Sequence, residues 1–436
     1  MAALLLDKIR QNPSDLVPLL GLQRFLLRQI FRVEYRIKRL KSARGRMLSL
    51  LRKGSSKECS SALKALISKT QARTEDLHQL LFLWKCFGDG IACTYQSSYS
   101  LKHLYFDADY GIKSDPGFIT GKAGFVQEYR LMRKGIRWGV PAILSDLTNI
   151  IRHGDVCLMG AADPVPIEVK SSKNTNARVR RQLEQLRLLR EFYDNDGAAI
   201  FRGVPNVRRI ETVDPVLSYE AVFNECMVQA QVNGVDFRSP EPGLTYICGW
   251  NVSRDDRAIV KALNNHLNDS TLLLGLTPDA SWLPAKSFTV TMTPANAVLF
   301  MQEKYTCGVL IDLAVLKQLL EERDLNPVMV MDGTSAIQIA PKMSPDRQAC
   351  DSRKSGKAPS EAVGIFRISE FHLLRSAMQF ESLRWFADCV ASQMQTLREE
   401  GPTEFQGNEP FLSEIPESWL TAEDCLQRVN NRELGP

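Results

Sequence analysis

The longest regular alternation of apolar and polar positions lies near the start of the chain. Leu22, Leu26, Ile30, Val33, Ile37 and Leu40 recur at steps of three and four, the spacing that lines one face of an amphipathic helix. Asn12-Pro13-Ser14-Asp15 reads as its start and Gly54-Ser55-Ser56 as its break. A second helical pattern runs from about Ser60 to Phe87. Gly111, Pro116, Gly117, Gly121 and Gly124 then punctuate residues 107–124, which predicts a loop and a domain boundary.

From Phe125 to Tyr193 the pattern is helix, strands, helix. Phe125, Glu128, Tyr129 and Met132 share one helical face, so a carboxylate lies within an apolar stripe. Burying it is costly unless it is paired or near a metal, the alternative being a stripe-edge glutamate that reaches solvent. Gly154–Gly160 and Pro166–Lys173 are β-rich runs separated by Ala161-Ala162-Asp163-Pro164, a turn sequence, which predicts a hairpin. Leu147–Ile151 reads as the preceding strand. Val179, Leu183, Leu186, Leu189 and Tyr193 form the apolar stripe of the following helix. Further on, Val204–Pro215 reads as a connection, Thr245–Val252 and Phe288–Thr293 as strands, Cys307–Arg323 as a helix, Val328–Met331 and Ala336–Ile339 as a strand pair, and Ser369–Glu399 as helical. The expected organisation is a basic N-terminal helical region (1–106), an α/β core (107–205) and a C-terminal α+β region (206–436) with a loop at about 341–360.

The chain has 436 residues, 44% of them apolar, enough for two or three cored domains. No apolar run is long enough to span a bilayer and no signal-peptide pattern opens the chain, so the expected location is the cytoplasm and no membrane partner is expected. Ten scattered cysteines and five histidines, with no CxxC spacing, disfavour a zinc site. The net charge of +5 is modest, but Leu22–Lys57 is dense in arginine and lysine against one acid, Glu34. Arg24, Arg28, Arg32 and Arg36 step by four opposite the apolar stripe. That ridge either tracks phosphates or is a solvated helix face.

The hairpin concentrates the chemistry. Side chains alternate along a strand, so Glu168 and Lys170 share a face while Ile167 and Val169 turn away. A suitable register sets Asp155 beside Glu168, although an ordinary charged surface hairpin would read the same way. Paired carboxylates repel unless a cation lies between them, and Mg²⁺ or Mn²⁺ suits such hard oxygen ligands together with a substrate phosphate. Asp146 is a weaker acidic candidate, placed before the supposed strand. Lys173, with Asn174-Thr175-Asn176, is a candidate phosphate contact where the next helix begins. No GxxxxGK[ST], GxSxG or HExxH pattern is present.

Asp155 followed after thirteen residues by Glu168-Val169-Lys170 resembles the PD-(D/E)XK nuclease superfamily, over roughly Gly121 to Tyr193. Gly154 stands where the family's name has proline. The resemblance implies an α/β core with a mixed sheet flanked by helices, and Mg²⁺-dependent cleavage of DNA, in some members RNA. It implies Asp155 and Glu168 as metal ligands, the Val169 carbonyl as a third oxygen, and Lys170 assisting the attacking water, by orienting it or, with a lowered pKa, by deprotonating it. It also implies Glu128 near the metal, with Gln182, Gln185 or Arg181 facing the site or substrate. The expected function is a DNA nuclease serving defence, restriction or repair. The alternatives are a non-catalytic nucleic-acid-binding or assembly module, and a C-terminal half that senses or binds a partner. A protein partner or second copy would meet the helical or C-terminal regions.

Overall fold

A computed structural model of the protein describes residues 1–54, 56–107, 110–114, 117–169, 177–210, 212–213, 215–252, 257–340 and 366–399. The chain forms two compact units, one of Met1–Arg208 with Pro278–Gln302, the other of Arg209–Thr277 with the chain from Glu303 onward. Among the described residues no helix is long and apolar enough to cross a membrane.

The first unit begins with helices α1 (Ala2–Gln11), α2 (Leu16–Arg52), α3 (Lys57–Tyr95) and α4 (Ser98–Leu101). The Asp15 side chain accepts from Val17 N (3.0 Å) and caps α2, satisfying one of the free N–H groups of its first turn. The stripe read from the sequence is the buried side of α2: Leu22, Leu26, Ile30, Val33 and Ile37 are all buried, together with Leu19 and Leu27. α2 and α3 pack along each other.

There follow α5 (Phe125–Arg137), β1 (Ala142–Leu144), β2 (Val156–Leu158), β3 (Val165–Ile167), α6 (Ala177–Asp194), β4 (Gly197–Phe201) and β5 (Val204–Arg208). β1–β2–β3 is antiparallel throughout, not mixed as the resemblance implies. β4 and β5 form a separate hairpin, so Val204–Arg208 is a strand rather than a connection. Leu147–Ile151 is not a strand either. The strand is Ala142–Leu144, and Ser145–Leu147 is a 3-10 turn. One core joins the helices to this sheet, with Leu26 and Ile30 from α2, Ile91 from α3, Met132 from α5, Val156 from β2 and Phe192 from α6. The helices of residues 1–106 and the hairpin segment thus share a single hydrophobic core.

The returning segment carries helices Phe288–Thr291 and Pro294–Met301 where a strand was expected at Phe288–Thr293. The β-branched run favours a strand. Here Ser287 and Thr293 each cap a helix start, and local hydroxyl capping outweighs propensity.

The second unit holds β6 (Val235–Glu241), β7 (Leu244–Trp250), β8 (Thr271–Leu276) and β9 (Tyr305–Asp312) in the antiparallel order β6–β7–β9–β8. A smaller sheet comprises β10 (Asn326–Met329), β11 (Ser335–Ala340) and β12 (Phe366–Ser369). Cys307–Arg323 is therefore strand followed by helix (Leu313–Glu321) rather than one helix. β9 lies between two strands and is buried almost throughout, so it shows no polar alternation. Asp312 ends it by capping the helix, accepting from Ala314 N (2.9 Å). The predicted helical stretch at Ser369–Glu399 divides into Glu370–Met378 and Leu383–Glu399.

Candidate functional site

The two edges of the β1–β2–β3 sheet are handled differently. Along β1, the buried Gln23 of α2 replaces a neighbouring strand: its amide donates to Ala142 O (2.8 Å) and accepts from Leu144 N (3.2 Å). Along β3, Pro166 occupies an edge position, where its missing N–H costs no ladder bond. α2 thereby fixes where β1 ends, and the polar groups gather at the strand ends.

Val156 pairs with Ile167 and Leu158 with Val165. Glu168 follows directly on Ile167, the last residue of that pairing. Gly154 makes the approach to β2 workable. Its φ is +70°, and a Cβ there would lie 2.9 Å from both Ile167 N and Ile167 O. Proline has φ fixed near −65°, so the family's proline does not fit this backbone. Asp155 N donates to Ile167 O (2.8 Å), while Asp155 Oδ2 accepts from Val169 N (2.8 Å).

The other Asp155 oxygen faces Lys122. The Lys122 ammonium lies 2.9 Å from Asp155 Oδ1, 2.8 Å from Asp146 Oδ2 and 3.0 Å from Glu128 Oε2. Three carboxylates from three elements thus converge on one point: the start of β2, the turn after β1, and α5. Glu128 is buried, with 2% of its surface exposed, and does not reach solvent. Burial, helped by the charges of Asp155 and Asp146, pushes its carboxyl up to about 7 against the lowering effect of Lys122. For Lys122, burial works against the charged form, but Asp146 and Asp155 outweigh it and hold the ammonium above its ordinary value. Three carboxylates facing one ammonium keep an excess of negative charge.

Two buried acids on the N-terminal helices hold the loops that carry these groups. Glu34 of α2 accepts from Ile119 N (3.0 Å), Thr120 N (2.8 Å) and Thr120 Oγ1 (2.6 Å), fixing the turn that leads to Lys122. Asp89 of α3 accepts from Asn149 N (2.7 Å), Ile150 N (3.1 Å) and the Asn149 side chain (2.7 Å), fixing the chain beyond Asp146. Gly88 allows α3 this close, because a Cβ there would overlap the Leu147 carbonyl.

A second polar group borders the first. Burial lowers the Lys113 pKa, against Asp107 and Glu168, whose charges raise it. Lys113 Nζ lies 3.0 Å from His153 Nδ1, and His153 Nε2 lies 2.8 Å from Phe106 O. Burial and Lys113 push His153 down to about 4. It is therefore neutral, accepting at Nδ1 and donating at Nε2.

The structure brings Asp155 and Glu128 together. Glu168 follows β3, half-buried and in the field of Lys113. Val169 contributes its N–H to Asp155. Gln185 on α6 donates to Asp107 (2.7 Å) and so belongs to the second group. Gln182 is half-buried on the same helix, and Arg181 is exposed, its charge reaching Lys113. Lys170 and Lys173 lie outside the described residues. Arg24, Arg28, Arg32 and Arg36 are all exposed on α2. Arg24 donates to Tyr129 OH (3.2 Å), and the Arg133 guanidinium lies 5.8 Å from the Tyr129 ring, so the ridge reaches the helix that carries Glu128.

Sequence reasoning missed Lys122 and underrated Asp146. Asp146 sits one residue past the apolar triplet Ala142-Ile143-Leu144, a strand end, which was the available signal. Lys122 lies in a glycine-flanked loop and carried none. Among the described residues, no group of three or more His, Cys, Asp or Glu side chains is arranged as a ready metal cage. The carboxylates stand 2.8–3.0 Å from a nitrogen, wider than the roughly 2.0–2.1 Å of Mg–O bonds. Their chemistry still fits a hard cation: all donors are carboxylate oxygens, they carry excess negative charge, and one is held buried among them. Comparison with known proteins returns nothing similar: no family model fits the chain, and no curated protein or solved structure matches it.

Proposed function

We propose that the protein is a metal-dependent nuclease of the PD-(D/E)XK kind that hydrolyses phosphodiester bonds of DNA. The observation that carries this reading is the convergence of Asp155, Asp146 and Glu128 within 3.0 Å of one point, at the end of the β2–β3 hairpin. Asp155, Asp146, Glu128 and Glu168 would hold Mg²⁺ or Mn²⁺, with the Val169 carbonyl as a further oxygen. When bound, the metal polarises the phosphodiester and lowers the pKa of a coordinated water. The Val169 N–H holds one Asp155 oxygen and Gly154 allows the close approach to Ile167, so the oxygen that faces Lys122 is aimed before substrate arrives. Lys170, two residues after Glu168, would orient the water. The exposed arginines of α2 would bind phosphates on the side of α5, through charge rather than base identity. Defence against foreign DNA, restriction and repair all fit such an activity in the cytoplasm.

A second reading is a nucleic-acid-binding module without catalysis. Lys122 favours it, because an ammonium already contacts all three carboxylates. Incubation of purified protein with plasmid and linear DNA in Mg²⁺, Mn²⁺ or EDTA separates the two. The nuclease reading expects cleavage that needs metal and falls at least about a hundredfold in Asp155→Asn. Equal cleavage by wild type and Asp155→Asn sinks the site. DNA binding without cleavage, lost when the arginine ridge is neutralised but kept in Asp155→Asn, supports the second reading.

A further inference from the structure

We propose that Lys122 is a tethered counter-ion: it holds the carboxylates together in the metal-free protein and competes with the divalent cation for them. The inference rests on the metal-dependent reading above. An ammonium has three N–H donors, and each Lys122 donor has one carboxylate oxygen to meet, on Asp146, Asp155 and Glu128. The three acceptors come from three separate elements, so without a cation mutual repulsion would push those elements apart.

The lysine is well placed to leave as well as to hold. Its backbone is fixed, since Lys122 N donates to Ile119 O (3.0 Å) and Glu34 anchors Ile119 and Thr120. Its side chain keeps 29% of its surface exposed, against 3% for Glu128, 10% for Asp146 and 13% for Asp155. The ammonium therefore has a route to water that crosses no core, while the carboxylates stay behind. A divalent cation and an ammonium cannot share the same three oxygens, because like charges at that separation repel strongly. Metal binding must expel Lys122, and the apparent metal affinity of the wild type is weakened by the fraction of time the lysine occupies the site.

Mn²⁺ binding to the full chain, followed by calorimetry, and thermal unfolding without metal test this in wild type, Lys122→Met and Lys122→Arg. Lys122→Met should unfold at lower temperature without metal and bind Mn²⁺ about tenfold more tightly or better. Lys122→Arg should keep the metal-free stability. In wild type, amine labelling of Lys122 read by mass spectrometry should rise when Mn²⁺ is added, which serves even if Lys122→Met fails to fold. Wild type that binds Mn²⁺ with Lys122 labelling unchanged, or a folded Lys122→Met that binds no more tightly, overturns the counter-ion role and leaves the metal-dependent reading standing. No Mn²⁺ binding by any of the proteins overturns both.

Discussion

Glu34 and Thr120 are joined by two hydrogen bonds, of 2.8 and 2.6 Å, across 86 residues of chain. Glu34 is the one acid in a strongly basic stretch of α2, and it is buried with 1% of its surface exposed. A third bond to Ile119 N makes it the anchor of the turn that presents Lys122. Glu34→Ala leaves three donors without their acceptor and should destabilise the protein by about 2–4 kcal/mol. Denaturant unfolding measures this. Metal-dependent cleavage should fall as well, although Glu34 touches none of the candidate ligands. Glu34→Gln, which keeps one acceptor oxygen, should lose less of both.

Gly154 tests whether backbone shape aims Asp155. At φ +70°, with Ile167 N and O each 2.9 Å from a built Cβ, Gly154→Ala meets both strain and overlap. We expect a loss of about 1–3 kcal/mol, read from thermal unfolding, and a larger fractional loss of cleavage than of folded protein. Alanine at Gly139 has φ +78° to contend with but open space around it, and should cost less.

Asp89 gives a pH dependence with a definite sign. Burial raises its carboxyl from an ordinary value of 3.8 to about 6, despite hydrogen bonds from Asn149 and Ile150. Between about pH 4 and 6 the folded protein therefore binds a proton that the unfolded chain releases. The Asp89 contribution to stability is greatest at or below pH 4 and declines as pH rises to 6, by up to about 3 kcal/mol. Asp89→Asn removes that slope. The variant's stability relative to wild type should therefore rise between about pH 4 and pH 7. Chemical denaturation across that range checks it, and a relative stability that falls as pH rises contradicts it.

The arginine ridge makes a prediction that does not need catalysis. Replacing Arg24, Arg28, Arg32 and Arg36 by glutamine should weaken binding to DNA of any sequence. The slope of log affinity against log salt should flatten by about 0.9 for each phosphate that the protein no longer neutralises. Fluorescence anisotropy at several salt concentrations measures both. An unchanged slope assigns the ridge to solvent.

The sequence displayed α2, the hairpin, Asp155 and Glu128 because each depends on local period or spacing. The stripe of α2 and the turn Ala161–Pro164 are repeats and breaks within a few residues. Lys122, Asp146 and Glu34 were harder, because their roles arise from contacts between distant segments. Lys122 and Asp155 are 33 residues apart, and Glu34 and Thr120 are 86 apart. Glu34 is the lone acid of a basic stretch in the sequence, and in the fold it ties α2 to the turn before Lys122. β9 hides its strand period for a related reason. A strand covered on both sides loses its alternation, and an apolar run of that length fits a helix equally well.

On the proposed reading, Asp146, Asp155 and Glu128 together hold a divalent cation. A crystal of the full chain soaked in Mn²⁺, with anomalous scattering used to locate the ion, tests it most directly. The expected result is a peak bonded to oxygens of Asp146, Asp155 and Glu128, with the Lys122 ammonium displaced from all three. A crystal that shows Lys122 still seated among the three carboxylates at saturating Mn²⁺, and no peak beside them, contradicts it.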